Sequence, residues 1–252
     1  MNTYHLSYLK TITESLEKIA QSEQLKIDQA TEAMADAIER DELIHAIGTG
    51  GHSIMGPMEI FWRAGSLAPI NPLLEAALLP SNGALHSNFI ERTEGLAKPI
   101  LQSYEVQSGE VLIIVNAYGI NALTIDTAIE AKRMGLKTIA VTNKEFADRV
   151  PAGSTARHST SQNLYDLVDI YIDNHLPFGD ACVPIDGYDQ KVAPASTILN
   201  SFCLNLLIIG TVEKLLNRGI EPPVWMSANL PEGDAANKRW HQKYNARVKH
   251  LR

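Results

Sequence analysis

The stretch VLIIVNAYGINALTIDTA, Val111 to Ala128, decides how the rest of the chain is read. Its opening run, Val111 to Val115, is apolar throughout, mostly β-branched and too short for a helix, which predicts a strand buried on both faces. Gly119 supplies a turn, and a helical pattern begins soon after it. A strand that feeds a helix through a tight turn is the repeating unit of an open parallel sheet. Ligands gather at the carboxyl ends of such strands, where helix-start amides favour an anion. Between Val115 and Thr124 there is no serine or threonine, and Asn116, Tyr118 and Asn121 furnish the loop instead.

The same grammar recurs on both sides. LIHAIGTGGHS, Leu43 to Ser53, reads as a strand running into a glycine turn, followed by the helical pattern IMGPMEIFWRAG. SLAPINP, bounded by prolines, suits a strand, as do KTIAVTN (137–143) and LVDIYIDNH (167–175). HSNFIERTEGLAKPILQSY (86–104) reads as a helix interrupted near Gly95 and Pro99. Residues 4–40 repeat apolar positions at helical spacing and predict two helices, packed on the sheet or on a second subunit. EFADRVPAGSTARHSTSQNLYD and PFGDACVPIDGYDQKVAP read as long polar connections. APASTILNSFCLNLLIIGTVEKLLNRG reads as a long helix that starts at Ser196 or Thr197 and ends at Gly219. Its apolar middle implies burial in the core or at a subunit interface. Strands alternating with helices predict an α/β fold with a mainly parallel sheet covered on both faces. The expected organisation is a helical segment over 1–40, the α/β domain over 41–220 and a helical tail over 221–252.

Composition narrows the function classes. The formal net charge of −7 over 252 residues, with basic residues scattered except in NKRWHQKYNARVKHLR, argues against nucleic acid. That basic tail reads as a solvated helix face. Two cysteines, Cys182 and Cys203, make neither a disulfide framework nor a four-thiolate zinc site and fit a reducing cytoplasm. The amino terminus lacks the plan of a signal peptide, and the longest apolar run, Leu204 to Ile209, is far short of the roughly 20 residues of a membrane helix. No membrane partner is expected.

Several constellations have the residue types for chemistry. GTGGHS, Gly48 to Ser53, lets backbone approach a ligand and leaves amides free for phosphate, sulfonate or a sugar hydroxyl. It is neither a dinucleotide fingerprint nor a Walker loop, since Ser53 replaces the third glycine and no lysine follows. Glu59 and Arg63, four apart on the next helix, fit a surface ion pair, while a carboxylate so placed also suits proton transfer. His86, Glu91, Arg92 and Glu94 fit a solvated helix face from which one carboxylate points inward. His158 lies among hydroxyls, and His175 closes a strand beside Asp173, Asn174 and Asp180, so both suit proton exchange. No His-x-x-x-His or Cys-x-x-Cys spacing is present, so no metal and no cofactor are assigned.

Taken in order, GTGGHS with EIFWRAGSLAPINP, VLIIVNAYGINALTIDTAIEAKRMGLKTIAVTN, ARHSTSQNLYDLVDIYIDN, LPFGDA and KVAPASTILN resemble the sugar isomerase (SIS) domain, and more narrowly its stand-alone bacterial members. The resemblance covers nearly the whole chain. It implies a three-layer α/β/α sandwich of flavodoxin-like type, with a five-stranded parallel sheet, a homodimer, and an anionic sugar as the small-molecule partner. It further implies aldose–ketose isomerisation through a cis-enediol, with a carboxylate as base and a histidine or other acid to open the ring. Glu59 ranks first and Glu91 second for the base, and His52 and His175 lead for the acid. Gly51, Ser53, Arg63, Ser196 and Thr197 are expected to bind substrate, and Asn116, Tyr118, Gly119 and Asn121 to hold its anionic tail.

In the family pattern the loop after the second strand reads Ser-x-Ser-Gly with another hydroxyl nearby, and these groups hold phosphate. Here the glycine is kept and the hydroxyls are gone. That departure motivates a monoanionic substrate, a 6-sulfonated sugar such as sulfoquinovose converted to its sulfofructose ketose. Alternatively, Ser53, His52 and Arg63, or Ser196 and Thr197, take over a phosphate. A competing expectation is a non-catalytic phosphosugar sensor acting through its dimer surface. A weaker one is an amino-sugar enzyme, without the glutamine-hydrolysing domain that some relatives carry.

Overall fold

Val111, Ile113 and Val115 point into one apolar layer and Leu112 and Ile114 into another, as expected for a strand buried on both faces. This strand, β3 (Val111–Val115), is the centre of a computed structural model that describes residues 3–252, so the first two positions of the amino-terminal helical segment lie outside it. It pairs in parallel with β1 (Ile44–Gly48) on one side and β4 (Lys137–Thr142) on the other. The strands β2 (Ile70–Leu73) and β5 (Ile170–Asp173) form the edges, giving the order β2-β1-β3-β4-β5, parallel throughout.

Each face is covered by helices, which makes the fold a three-layer α/β/α sandwich. One layer contains α1 (Thr3–Ser22), α2 (Gln24–Glu39), α3 (Met55–Ile60) and α9 (Ser196–Asn217), packed through Ile19, Met34, Leu199 and Leu204. The other contains α5 (Ala97–Ser103), α6 (Ala122–Arg133) and α8 (Leu164–Leu167), packed through Leu101, Leu123 and Leu164. The tail helix α10 (Gly233–Tyr244) and the turn after it close a smaller core around Leu43, Ala68 and Trp225.

Several local readings change. The 86–104 helix is two helices, α4 (Ala84–Glu91) and α5, with the break around Gly95. Pro99 sits inside the first turn of α5, where a missing amide is tolerated. The connection after β4 contains α7 (Lys144–Arg149). The segment read as PFGDACVPIDGYDQKVAP forms an antiparallel hairpin of β6 (Ala181–Ile185) and β7 (Tyr188–Pro194), separate from the main sheet. The long helix runs from Ser196 and stops at Gly219, whose φ of +72° is that of a helix-ending glycine. At 22 residues, α9 is long and apolar enough to cross a membrane, which the run Leu204 to Ile209 alone did not reveal. Leu199, Cys203, Leu204 and Leu207 are fully buried against the sheet and α2, the arrangement of a core helix.

Candidate functional site

In the order β2-β1-β3-β4-β5 the chain leaves β1 toward β2 and leaves β3 toward β4, in opposite directions, so the crevice beyond β1 and β3 is the place for a ligand. A cleft of about 530 Å³ lies there. Its walls are the β1 loop from Gly50 to Ser53, the β3 loop from Asn116 to Asn121, α4 with Ser87, Asn88, Glu91 and Arg92, and Phe146, Val150, Ala156, Asp180 and Ser196 from later in the chain.

Glu91, at the last turn of α4, reaches across to the glycine loop. Its Oε2 accepts from the amide of Gly51 at 3.4 Å, and a Cβ built on Gly50 would lie 3.0 Å from the same atom. The missing side chain at position 50 is what leaves room for the carboxyl. Burial pushes this carboxyl above the ordinary glutamate range, and the Gly51 amide, Arg92 and His52 only partly offset the effect. A half-buried carboxyl facing a cleft, tuned toward neutral pH, has the attributes of a general base.

The β3 loop is organised differently from an open anion cradle. Asn116 is buried, and its Oδ1 accepts from the amides of Tyr118 at 3.1 Å and Gly119 at 2.8 Å. Its Nδ2 donates to the carbonyl of Thr49 at 3.4 Å and to Thr49 Oγ1 at 3.3 Å, tying the loop to the end of β1. This is an asparagine turn that satisfies its own backbone. Asn121 donates to the carbonyl of Ala156 at 3.0 Å and anchors the 150–163 segment. Tyr118 stacks on Phe146 with centroids 4.0 Å apart, and Phe146 stacks in turn on Phe178 at 4.8 Å. Burial, followed by the charges of Asp180 and Glu91, pushes the Tyr118 phenol up to about 12, so it remains a donor near neutral pH.

Ser196 is at the cleft, but its hydroxyl is engaged. Asp180 accepts from the amides of Ala195 at 2.9 Å and Ser196 at 2.8 Å, and from Ser196 Oγ at 2.8 Å, so its carboxylate caps α9. By contrast, His52, Ser53, Asn88 and Arg92 line the cleft with side chains that have no hydrogen-bond or ion-pair partner among the described residues.

Five expected residues do not line the cleft. Glu59 pairs with Arg63 at 3.2 Å, and neither lines the cleft. The short helix α3 ends at Ile60, and Arg63 instead borders a smaller hollow beside Trp62 and Trp225. His175 is held away from the cleft by Glu23 at 3.1 Å and Ser22 at 2.9 Å, where the break between α1 and α2 meets the end of β5. Thr197 is not among the lining residues, one position beyond Ser196. Gly119 does not line the cleft itself, though it shapes the loop. Asp180, Ser87, Asn88 and Arg92 join the cleft without having been singled out as binding residues. Among the described residues no group of three histidine, cysteine, aspartate or glutamate side chains is placed to hold a metal ion.

Comparison with known proteins places this geometry. The model of the SIS domain family matches residues 7–143. A UPF0309 protein of Caldanaerobacter subterraneus is 37% identical over 247 residues, covering 97% of this chain and 98% of its own length. A UPF0309 protein of Thermoanaerobacter pseudethanolicus is 37% identical over 250 residues, covering 98% and 99%. Among solved structures, a phosphoheptose isomerase from Francisella tularensis superposes with a TM-score of 0.51 at 17% identity, covering 84% of this chain and 100% of its own. One from Neisseria gonorrhoeae gives 0.51 at 15%, covering 84% and 96%. At such identities the likeness speaks to the fold.

Proposed function

The chain belongs to the SIS-domain family, and from that premise we propose that its cleft binds an anionic sugar and interconverts aldose and ketose forms by proton transfer through an enediol. The observation that supports this most is Glu91: a half-buried carboxyl with a raised pKa, set against the glycine loop and facing a cleft of sugar size. In this reading ionised Glu91 takes the proton from carbon two of the open aldose and returns it to carbon one. Tyr118, protonated at neutral pH, and His52 are the donors near enough to the cleft to protonate a ring or enediol oxygen.

The finer reading is a monoanionic tail, as in a 6-sulfonated hexose such as sulfoquinovose. Its support is Asn116, which occupies the Tyr118 and Gly119 amides that a phosphate dianion would otherwise draw on. Hydrogen bonds to charged groups are worth about 1.5–3 kcal/mol each, so the loss bears harder on a dianion. We take residues 41–220 as the sugar-binding domain, with the described residues 3–40 and the tail 221–252 packed on it. We further take the assembly as a homodimer, in line with the largely exposed Leu9 of α1 and Ile209 and Leu216 of α9, and the cytoplasm as its compartment, in line with two free cysteines.

The test is NMR of sulfoquinovose and hexose 6-phosphates in deuterium oxide with wild-type protein and Glu91→Gln. Label entering carbon two with wild type but not with the variant is expected. Tight binding with no label in either protein would replace the isomerase with a sugar sensor.

A further inference from the structure

The cleft divides by what its polar side chains are already doing. On the β3 and α9 side all but the Tyr118 hydroxyl are engaged internally: Asn116 with its own loop, Asn121 with Ala156, and Ser196 with Asp180. On the β1 and α4 side Ser87 donates to the Leu78 carbonyl and Glu91 accepts from the Gly51 amide, while Ser53, His52, Asn88 and Arg92 have no side-chain partner among the described residues. The chain has ten arginines, and Arg92 is the one whose guanidinium has no carboxylate or carbonyl partner among the described residues. Each of the others is held: Arg40 by Glu42, Arg63 by Glu59, Arg133 by Glu130, Arg149 by Glu145, Arg157 by Asn163, Arg218 by Asp36, Arg239 by Glu221, Arg247 by Asp41 and Arg252 by Ala246. An unpaired planar cation at the rim of a cleft is suited to a bidentate oxyanion. On the β3 and α9 side the Asp180 carboxylate lies near the Tyr118 phenol, and negative charge there repels an anion.

We propose that the anionic tail of the sugar binds on the α4 side of the cleft, to Arg92 with Asn88 and Ser53, and that the β3 loop faces the sugar's hydroxyls. Asn121, Gly119 and Tyr118 then shape the hydroxyl end, and Arg92 sets the requirement for charge. The site rests on the reading of the cleft as a sugar pocket and not on the monoanionic tail argued from Asn116, because it moves the recognition of charge away from the β3 loop.

The experiment titrates wild type, Arg92→Met and Arg92→Lys by calorimetry with glucose 6-phosphate, sulfoquinovose and uncharged glucose. The expected result is a loss of at least tenfold in affinity for the anionic sugars in Arg92→Met, partial recovery in Arg92→Lys, and less than a twofold change for glucose. Arg92 is exposed and unpartnered, so its loss leaves the fold intact, which a thermal melt verifies. Anionic sugars binding Arg92→Met within twofold of wild type would overturn the α4-side site while leaving the sugar reading standing. Wild-type protein that binds none of the three would overturn the sugar reading itself.

Discussion

Gly50 and Glu91, forty-one positions apart, share one small volume at the floor of the cleft, where a single added methyl on the glycine would lie 3.0 Å from the carboxylate oxygen and 3.3 Å from Asn116 Nδ2. Gly50→Ala is therefore expected to move the carboxyl rather than unfold the protein, because the nearest atoms are the ends of movable side chains. With Glu91 as base, turnover should fall on the order of tenfold to a hundredfold with a smaller change in KM. Steady-state kinetics beside a thermal melt checks this, and an unchanged turnover would remove Glu91 from the reaction.

The raised pKa of Glu91 has a direction in pH. Its folded-state pKa lies above the ordinary 4.5, so folding favours the protonated form, and stability falls as pH rises from 4.5 through the folded value. Glu91→Gln, which carries no charge to bury, should gain stability over wild type at pH 7 and lose that advantage below pH 4.5. Melting curves at the two pH values are the measurement. Wild-type turnover should fall on the acid side through a pKa above 4.5 as the base is protonated.

Glu23 titrates the other way. Burial alone would push it up, but hydrogen bonds from His175, Lys26 and the Asp173 amide outweigh burial and hold it at about 2. Its stabilisation is present above pH 4.5 and is lost as pH falls from there toward 2, at most about 3 kcal/mol. Glu23→Gln should destabilise the protein at pH 7 and flatten the acid limb of a urea-unfolding series. His175→Asn should lower stability by about 1–2 kcal/mol with KM unaltered, since the imidazole holds α2 to β5 and does not face the cleft.

Gly119 adopts φ +65°, and a Cβ there would collide with Thr142 Oγ1 and lie 3.1 Å from Leu164 Cβ. Gly119→Ala is expected to destabilise by about 1–3 kcal/mol. Adding Thr142→Ala should return part of that loss, because it removes the nearer obstacle. A double-mutant cycle by denaturant unfolding measures the coupling, and strict additivity would mean that the clash is absent.

The layers of the sandwich were legible because each strand was a short apolar run and each long helix carried its own period and stop signal, Gly219 after α9 being the clearest. The β6–β7 hairpin was not, although Asp186-Gly187 is a favoured hairpin turn. Its second strand, YDQKVAP, is largely exposed and shows no apolar alternation to betray it. Helix α7 is short and mostly charged, and its clearest mark is Asn143, whose side chain accepts from the Phe146 amide at 2.7 Å. Within the site, spacing brought the glycine loop and α4 into view but ranked Glu59 over Glu91. Glu59 pairs with Arg63 and does not line the cleft, whereas Glu91 does, a difference set by contacts between segments rather than by spacing. Arg92 and Asp180 come to the cleft through the packing of segments remote in sequence, and neither shows in a local pattern.

The self-closed turn at Asn116 has a kinetic corollary. A loop whose amides already meet an internal acceptor is ordered before any sugar arrives, so encounter requires no reshaping of that wall. Exchange between empty and loaded states should then be fast, limited by diffusion past the α4 rim, and the amide resonances of Tyr118 and Gly119 should scarcely move when ligand is added.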